Sequence, residues 1–125
     1  MITLIPQQCA KSCAVACIAM ITGSTFDQIR SMTDHVPISD YKMGDILESL
    51  GHRVVRSMYG NILPDKVHII AVPSLNIPGA MHSIVLDTHD GEFKVYDPNK
   101  GFQGSVYESF EQIRGWGSVL WTIKR

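Results

Sequence analysis

The chain has 125 residues, with 11 Lys plus Arg against 12 Asp plus Glu, and these counts limit its size and its partners. A chain of this length buries roughly two thirds of the surface that its unfolded form exposes, so we expect a single domain over residues 1–125. The net charge of −1 gives no basic excess for a phosphate backbone, and no nucleic acid is expected as a partner. The apolar runs are short, and no integral membrane segment is predicted.

The three cysteines are an odd number in a chain whose start lacks the charged and apolar regions of a secretion signal. A disulfide framework would leave one thiol over. Reduced thiols in a cytoplasmic setting are therefore the simpler interpretation, and we expect a cytoplasmic protein.

Hydrophobic periodicity and turn residues predict helices first and strands afterwards. Residues 13–21 are apolar on nearly every side, which is typical of a buried helix, with Ser12 as its N-cap and Gly23 as its stop. After Gly51 the pattern becomes strand-like. The predicted elements are helices from Ser12 or Cys13 to Thr22, from Thr25 to Met32, from Ser39 to Gly51 (with Met43, Ile46, Leu47 and Leu50 on one face) and, near the C-terminus, Tyr107–Ile113, and strands His52–Met58, Val67–Val72, Ser83–Thr88, Glu92–Tyr96 and Ser118–Lys124. This order predicts an α+β fold with a mostly antiparallel sheet.

Cys13 falls in the first turn of the buried helix, where free backbone N–H groups and the helix dipole favour a thiolate. The pattern therefore makes Cys13 a candidate nucleophile, although many cysteines in apolar helices only pack. Cys17, one turn further into the helix, fits a packing role, and Cys9 in the preceding loop is ambiguous.

The even spacing of the three cysteines also allows other interpretations. Structural zinc sites space their cysteines similarly, but no second Cys/His pair follows, so no metal site is predicted. A redox pair of Cys9 and Cys13 lacks the usual Cys-x-x-Cys spacing and is not expected.

The Asp90-Gly91 pair predicts a two-residue hairpin turn between Ser83–Thr88 and Glu92–Tyr96. With that turn, partner numbers on the two strands sum to 181, so that His82 shares a face with Asp97 and lies diagonal to it. A carboxylate beside a histidine orients the imidazole and stabilises its charged form. A structural role, with Asp97 as a turn residue before Pro98, explains the pair equally well.

Residues 7–20 resemble the start of the bacteriocin-leader-processing peptidases, papain-like cysteine peptidases found at the front of exporters of double-glycine leader peptides. In that family a Gln precedes the nucleophilic Cys by six positions, and a Met ends the helix that the Cys opens. A His at a strand start and an Asp-Pro followed by a Gly come later. The positions matching these motifs are Gln7, Cys13, Met20, His82, Asp97-Pro98 and Gly101.

The resemblance covers nearly the whole chain and implies a papain-like cysteine peptidase fold without a cofactor. It implies Cys13 as nucleophile, His82 as general base and acid, Asp97 as the residue that orients His82, and Gln7 as oxyanion donor. Ala14 stands where the family commonly has Gly. Because a single domain is expected, we expect no transporter within these residues, a peptide or protein substrate supplied in trans, and a separate transporter as a possible partner.

The same site residues are also compatible with other activities. Papain-like sites also serve deamidases, acyl-transferases and isopeptidases, which share the thioester step, and a catalytically silent domain could bind a peptide. The loops Thr33–Ser39, Ser74–Ala80 and Asn99–Gly104 are the candidate walls of a substrate cleft.

Overall fold

Three helices pack on an antiparallel sheet, so the expected α+β class is confirmed. The computed structural model describes residues 2–9, 11–56, 62–73, 81–98, 105–107 and 118–123. The helices are α1 (Cys13–Thr22), α2 (Phe26–Arg30) and α3 (Asp40–Ser49), and a short 3-10 turn covers His89–Gly91. The strands are β1 (Val54–Arg56), β2 (Val67–Pro73), β3 (Met81–Asp87), β4 (Lys94–Asp97), β5 (Ser105–Tyr107) and β6 (Ser118–Ile123), in the sheet order β1-β6-β2-β3-β4-β5.

Helix α1 is the centre of the packing. Its residues from Ala14 to Met20 are all buried, as an apolar run without a polar face requires. The helix ends at Gly23, whose φ of 71° places it in the left-handed region, and the Gly23 N–H donates to the Ala19 carbonyl oxygen. The core residues between the helices and β2 and β6 include Val15, Ile18, Ile29, Leu47, Ile69 and Ile123.

Both faces of the central strands are apolar. On the face towards α1, Val85 and Tyr96 pack with Cys17 and Met20. On the other face the buried residues are Ile70, Val72, Ile84, Leu86, Val95 and Val119. Along β3, Val85 therefore faces α1, whereas Ile84 and Leu86 lie on the opposite face.

The register predicted for the hairpin is confirmed, but its loop is longer than predicted. Val85 pairs with Tyr96, Leu86 with Val95 and Asp87 with Lys94, which keeps the sum of 181. Asp90 and Gly91 both have positive φ, as a two-residue turn requires. The strands nevertheless separate after Asp87, because the Thr88 N–H donates to the Lys66 carbonyl oxygen and the Asp90 N–H to Asp65 Oδ1.

Several element ends differ from the prediction. Helix α2 ends at Arg30 and α3 at Ser49, so that Leu50 is exposed rather than buried. Strand β1 begins at Val54, two residues late, and β3 begins at Met81, two residues early. Tyr107 ends a strand where a helix was predicted. The rest of that predicted helix lies outside the described residues, as do the loops Ser74–Ala80 and Asn99–Gly104.

Within the described part of the chain, no helix has the length and apolar run needed to cross a bilayer.

Candidate active site

Cys13 is the first residue of α1, and its sulfur faces the beginning of β3. Its side chain is half-buried, and the Ser83 backbone N–H lies 3.5 Å from Sγ. The neighbouring His82 side chain lowers the pKa of the Cys13 thiol by hydrogen bonding and by its charge. The helix start thus presents the thiol to two consecutive residues of a neighbouring strand.

His82 and Asp97 form a buried pair across the open end of the β3–β4 hairpin. His82 Nε2 lies 2.6 Å from Asp97 Oδ1, and both side chains are less than a tenth exposed. With Nε2 engaged by Asp97, Nδ1 is the ring nitrogen that remains for Cys13. The predicted diagonal approach of these two residues is therefore present in the structure.

The electrostatics of the three residues favour a thiolate beside an imidazolium. Burial opposes ionisation of Cys13, but the hydrogen bonds from His82 and Ser83 and the charge of His82 together lower the pKa of its thiol below the ordinary value. Burial also opposes protonation of His82, yet hydrogen bonds and charge from Asp97 and Cys13 raise its pKa to about 9. Each charged form stabilises the other.

Cys17 has the opposite environment although it lies on the same helix. It is fully buried, and burial, followed by the nearby Cys13 and Asp97, raises the pKa of its thiol well above the ordinary value. Cys17 therefore stays a neutral packing residue, as its depth in the helix indicates.

Gln7 is held beside the hairpin end by its backbone. The Gln7 N–H donates to the Pro98 carbonyl oxygen at 2.8 Å, which joins Gln7 to the residue after Asp97. The side chain is buried, and Nε2 donates one N–H to the Cys9 carbonyl oxygen at 2.8 Å. Because an amide nitrogen carries two N–H groups, the second remains for another acceptor. Gln7 Oε1 is buried and has no hydrogen-bond partner among the described residues.

Ser12 occupies the N-cap position, but the predicted capping bond is wrong. Its side chain makes no hydrogen bond to the helix, since its backbone is not in the extended conformation usual for a cap. The hydroxyl instead accepts from the N–H groups of Gln8 and Cys9 and donates to the Cys9 carbonyl oxygen. Ser12 thereby fixes the loop that connects Gln7 to Cys13.

Cys9, which the sequence left ambiguous, is exposed and carries a perturbed thiol. A hydrogen bond with the Ser12 side chain, the Lys11 backbone N–H and the charge of Arg30 lower the pKa of Cys9. A low thiol pKa is therefore not unique to Cys13, and an alkylation experiment needs a variant without Cys9.

The structure thus brings His82 into direct contact with Asp97 and Cys13 into contact with Ser83, the next residue of the same strand. The bond from the Gln7 N–H to the Pro98 carbonyl oxygen joins Gln7 to this end of the hairpin. Sequence reasoning missed Ser83, because the hairpin register alone does not show which face of the hairpin α1 covers. In the part of the chain that the structure describes, no three His, Cys, Asp or Glu side chains lie close enough together to hold a metal ion. No family model matches the chain, and no match is found among curated proteins.

The electrostatic description of the site predicts the alkylation behaviour of the thiols. In the Cys9→Ala variant, iodoacetamide at pH 7 should alkylate Cys13 rapidly and Cys17 hardly at all, as located by peptide mass spectrometry. Adding His82→Ala should move the midpoint of the rate-against-pH curve for Cys13 upwards by about one unit or more, because it removes a hydrogen bond and a positive charge from the thiolate.

The chain offers a matched control for this experiment. His89 Nδ1 also lies 2.6 Å from a carboxylate oxygen, that of Asp87, but at the other end of the hairpin and largely exposed. His89→Ala should leave the Cys13 midpoint unchanged. An equal midpoint in the His82 and His89 variants would contradict the assigned contact between His82 and Cys13.

Proposed function

We propose that this chain is a papain-like cysteine peptidase that hydrolyses peptide bonds with Cys13 as nucleophile. The observation behind the proposal is the buried His82–Asp97 contact of 2.6 Å beside a thiol, that of Cys13, whose pKa His82 lowers. A thiol, an imidazole and a carboxylate in this order supply a nucleophile, its proton donor and acceptor, and a group that orients the imidazole.

The fold supports the same assignment. A buried helix that begins at the nucleophile and packs on an antiparallel sheet bearing the histidine is the arrangement implied by the resemblance to leader-processing peptidases. The order of the residues along the chain also agrees, from Gln7 and Cys13 to His82 and Asp97. Gly101, the last residue of the matched motifs, lies outside the described residues.

In the proposed first step, the Cys13 thiolate attacks the carbonyl carbon of the scissile amide. A carbon–sulfur bond forms, and the carbonyl oxygen becomes an oxyanion. The carbon–nitrogen bond then breaks while protonated His82 gives its proton to the leaving amine. The products are a thioester on Cys13, neutral His82 and a free amine.

In the second step, neutral His82 takes a proton from water, and the resulting hydroxide attacks the thioester carbon. The carbon–sulfur bond breaks, and Cys13 returns to its thiolate form beside protonated His82. The acyl product leaves as a carboxylic acid. Asp97 keeps the imidazole oriented and favours its charged form through both steps.

The oxyanion of each tetrahedral intermediate requires N–H donors already in position. The free N–H of Gln7 Nε2 and the Cys13 backbone N–H at the helix start are the proposed donors. The bond from Nε2 to the Cys9 carbonyl oxygen fixes the Gln7 amide before the substrate arrives, so that no reorganisation is needed during the reaction.

Digestion of a peptide library derived from a proteome tests the proposed peptidase function. The wild-type chain should generate new peptide termini, detected by mass spectrometry, because both hydrolytic steps are available to it. Cys13→Ala should generate none, whereas Cys9→Ala, which removes a thiol four residues away, should retain most cleavage. The substrates are supplied in trans in this experiment, as the proposal requires.

Other outcomes of the digestion would overturn the proposal. A mass increase of about one dalton at glutamine without cleavage would indicate a deamidase, and amine adducts would indicate an acyl-transferase. Binding of peptides without any covalent change would indicate a silent domain. Cleavage that persists in Cys13→Ala and disappears in Cys9→Ala would show that the nucleophile is misassigned.

Gln7→Ala should lower kcat by about two to three orders of magnitude, because one oxyanion donor contributes roughly 2.7–4 kcal/mol to transition-state stabilisation. The fold should survive, since the Cys9 carbonyl oxygen keeps its bonds from the Ser12 hydroxyl and N–H. Turnover is measured on a peptide identified in the library.

Two measurements separate a lost oxyanion donor from general damage. Alkylation of Cys13 should keep its normal pH midpoint in Gln7→Ala. The neighbouring and exposed Gln8 provides the matched control, and Gln8→Ala should retain turnover. A Gln7 variant with normal kcat would remove Gln7 from the mechanism.

The pH profile of kcat/KM should be bell-shaped, because the reaction needs ionised Cys13 and protonated His82. Activity should fall on the acid side as the thiol, whose pKa is lowered, gains its proton, and on the alkaline side near the His82 pKa of about 9. Asp97→Asn should move the alkaline limb to lower pH by about one unit or more, since it removes the charge that favours imidazolium.

Asp87→Asn is the control for this shift, because Asp87 binds the other histidine of the hairpin, His89, away from Cys13. Its alkaline limb should match that of the wild-type chain. An unchanged limb in Asp97→Asn would contradict the role of Asp97 in holding the proton on His82.

A further inference from the structure

The Cys13 sulfur has a second neighbour on β3 besides His82. The backbone N–H of Ser83 points at Sγ, with a nitrogen–sulfur distance of 3.5 Å, which is within hydrogen-bond range for sulfur. The Ser83 side chain is buried, and its hydroxyl, like its backbone N–H, lowers the pKa of the Cys13 thiol. The backbone contact therefore places Ser83 directly against the sulfur of the proposed nucleophile.

The packing of α1 on β3 explains why Ser83 lies there. Four residues along a helix advance by about 6 Å, and two residues along a strand advance by about 6.6 Å. Cys17 packs against Val85 in the core. Cys13 lies one helical turn before Cys17, and Ser83 lies two strand positions before Val85. Because these two advances are nearly equal, Cys13 and Ser83 are also brought into contact.

The hairpin also explains why the Ser83 N–H reaches a side chain. The ladder between β3 and β4 covers Val85–Asp87, and Ser83 precedes it. At the corresponding point of the other strand lies Pro98, whose carbonyl oxygen accepts from the Gln7 N–H instead. Because the β3–β4 ladder does not extend to Ser83, the start of α1 can lie beside Ser83, and its N–H can reach the Cys13 sulfur.

We propose that Ser83 is a further catalytic residue, whose backbone N–H and hydroxyl bind the Cys13 sulfur in its anionic form and hold it in place for attack. This assignment rests on the proposed function, because it takes Cys13 as the nucleophile. It adds a binding site for the thiolate that does not depend on the protonation of His82.

The two donors act on the resting enzyme more than on the thioester. A thiolate accepts strong hydrogen bonds, whereas the neutral sulfur of a thioester is a weak acceptor. Donation from Ser83 therefore increases the fraction of ionised Cys13 and moderates its intrinsic nucleophilicity, which falls as the thiol pKa falls. When water releases the acyl group, the same donors receive the returning thiolate.

Ser83→Ala tests the hydroxyl while it keeps the backbone N–H. In a Cys9→Ala background, the midpoint of Cys13 alkylation against pH should rise by about one unit, because a hydrogen bond to a charged group is lost. The acid limb of the kcat/KM profile should move to higher pH by the same amount. Thr122→Val is the matched control, since it also removes a buried hydroxyl, but from β6, two strands away from β3.

Nuclear magnetic resonance of the uniformly ¹⁵N-labelled wild-type chain tests the backbone donor without any substitution at Ser83. The Ser83 amide proton should shift with the same pH midpoint as Cys13 alkylation, and this titration should disappear in Cys13→Ala. A Ser83 amide proton that does not follow Cys13 ionisation would overturn the role of the N–H. Equal alkylation midpoints in Ser83→Ala and Thr122→Val would overturn the role of the hydroxyl.

Both measurements report the ionisation of a thiol and not the hydrolysis of a peptide. A chain that cleaves no peptide could still show the Ser83 titration, in which case the proposed function fails and the thiolate site stands. Cleavage by Cys13 without any titration at Ser83 would give the reverse result.

Discussion

Burial of α1 against the sheet is the constraint on which the candidate site depends. The helix has no polar face, so its stability comes from packing on every side rather than from the helix propensity of its residues. Once Cys17 and Met20 are fixed against Val85 and Tyr96, the start of the helix has one position relative to β3. Packing of α1 in the core therefore fixes the position of Cys13, and the loop from Gln7 to Ser12 need not do so.

The same burial gives two thiols on one helix opposite chemical properties. Cys17 faces apolar side chains, and the pKa of its thiol rises well above the ordinary value. Cys13, one turn earlier, meets His82 and the Ser83 N–H, and the pKa of its thiol falls. A distance of about 6 Å along the helix therefore separates a packing residue from a candidate nucleophile.

The sequence allowed prediction of those features that depend on neighbouring residues. Asp90-Gly91 predicts the hairpin register because both residues must adopt positive φ, and Gly23 predicts the end of α1 for the same reason. The approach of His82 to Asp97 follows from that register. The helix and strand ends were less predictable, since the ends of β3 and β4 near the turn depend on bonds from Thr88 and Asp90 to residues 65 and 66, more than twenty positions away.

Features that depend on packing between distant elements could not be predicted in this way. Ser12 fits the sequence pattern of a capping residue, but its hydroxyl bonds to the preceding loop because that loop folds back to place Gln7 beside Pro98. Ser83 has no local signal for binding a thiol. Its role depends on the spacing match between α1 and β3, which is a property of two elements seventy residues apart.

The charges at the site explain why neutral donors are needed beside His82. With Cys13 and Asp97 ionised and His82 protonated, the buried His82–Asp97 pair and the half-buried Cys13 together hold one excess negative charge, and an uncompensated charge in such surroundings is costly. Backbone N–H groups offset part of that cost and do not titrate. Above a pH of about 9, where His82 loses its proton, the imidazolium no longer stabilises either anion. In the proposed mechanism the imidazolium both stabilises the thiolate and supplies the proton for the leaving group, whereas the N–H groups of Ser83 and of the helix start stabilise the thiolate without titrating themselves.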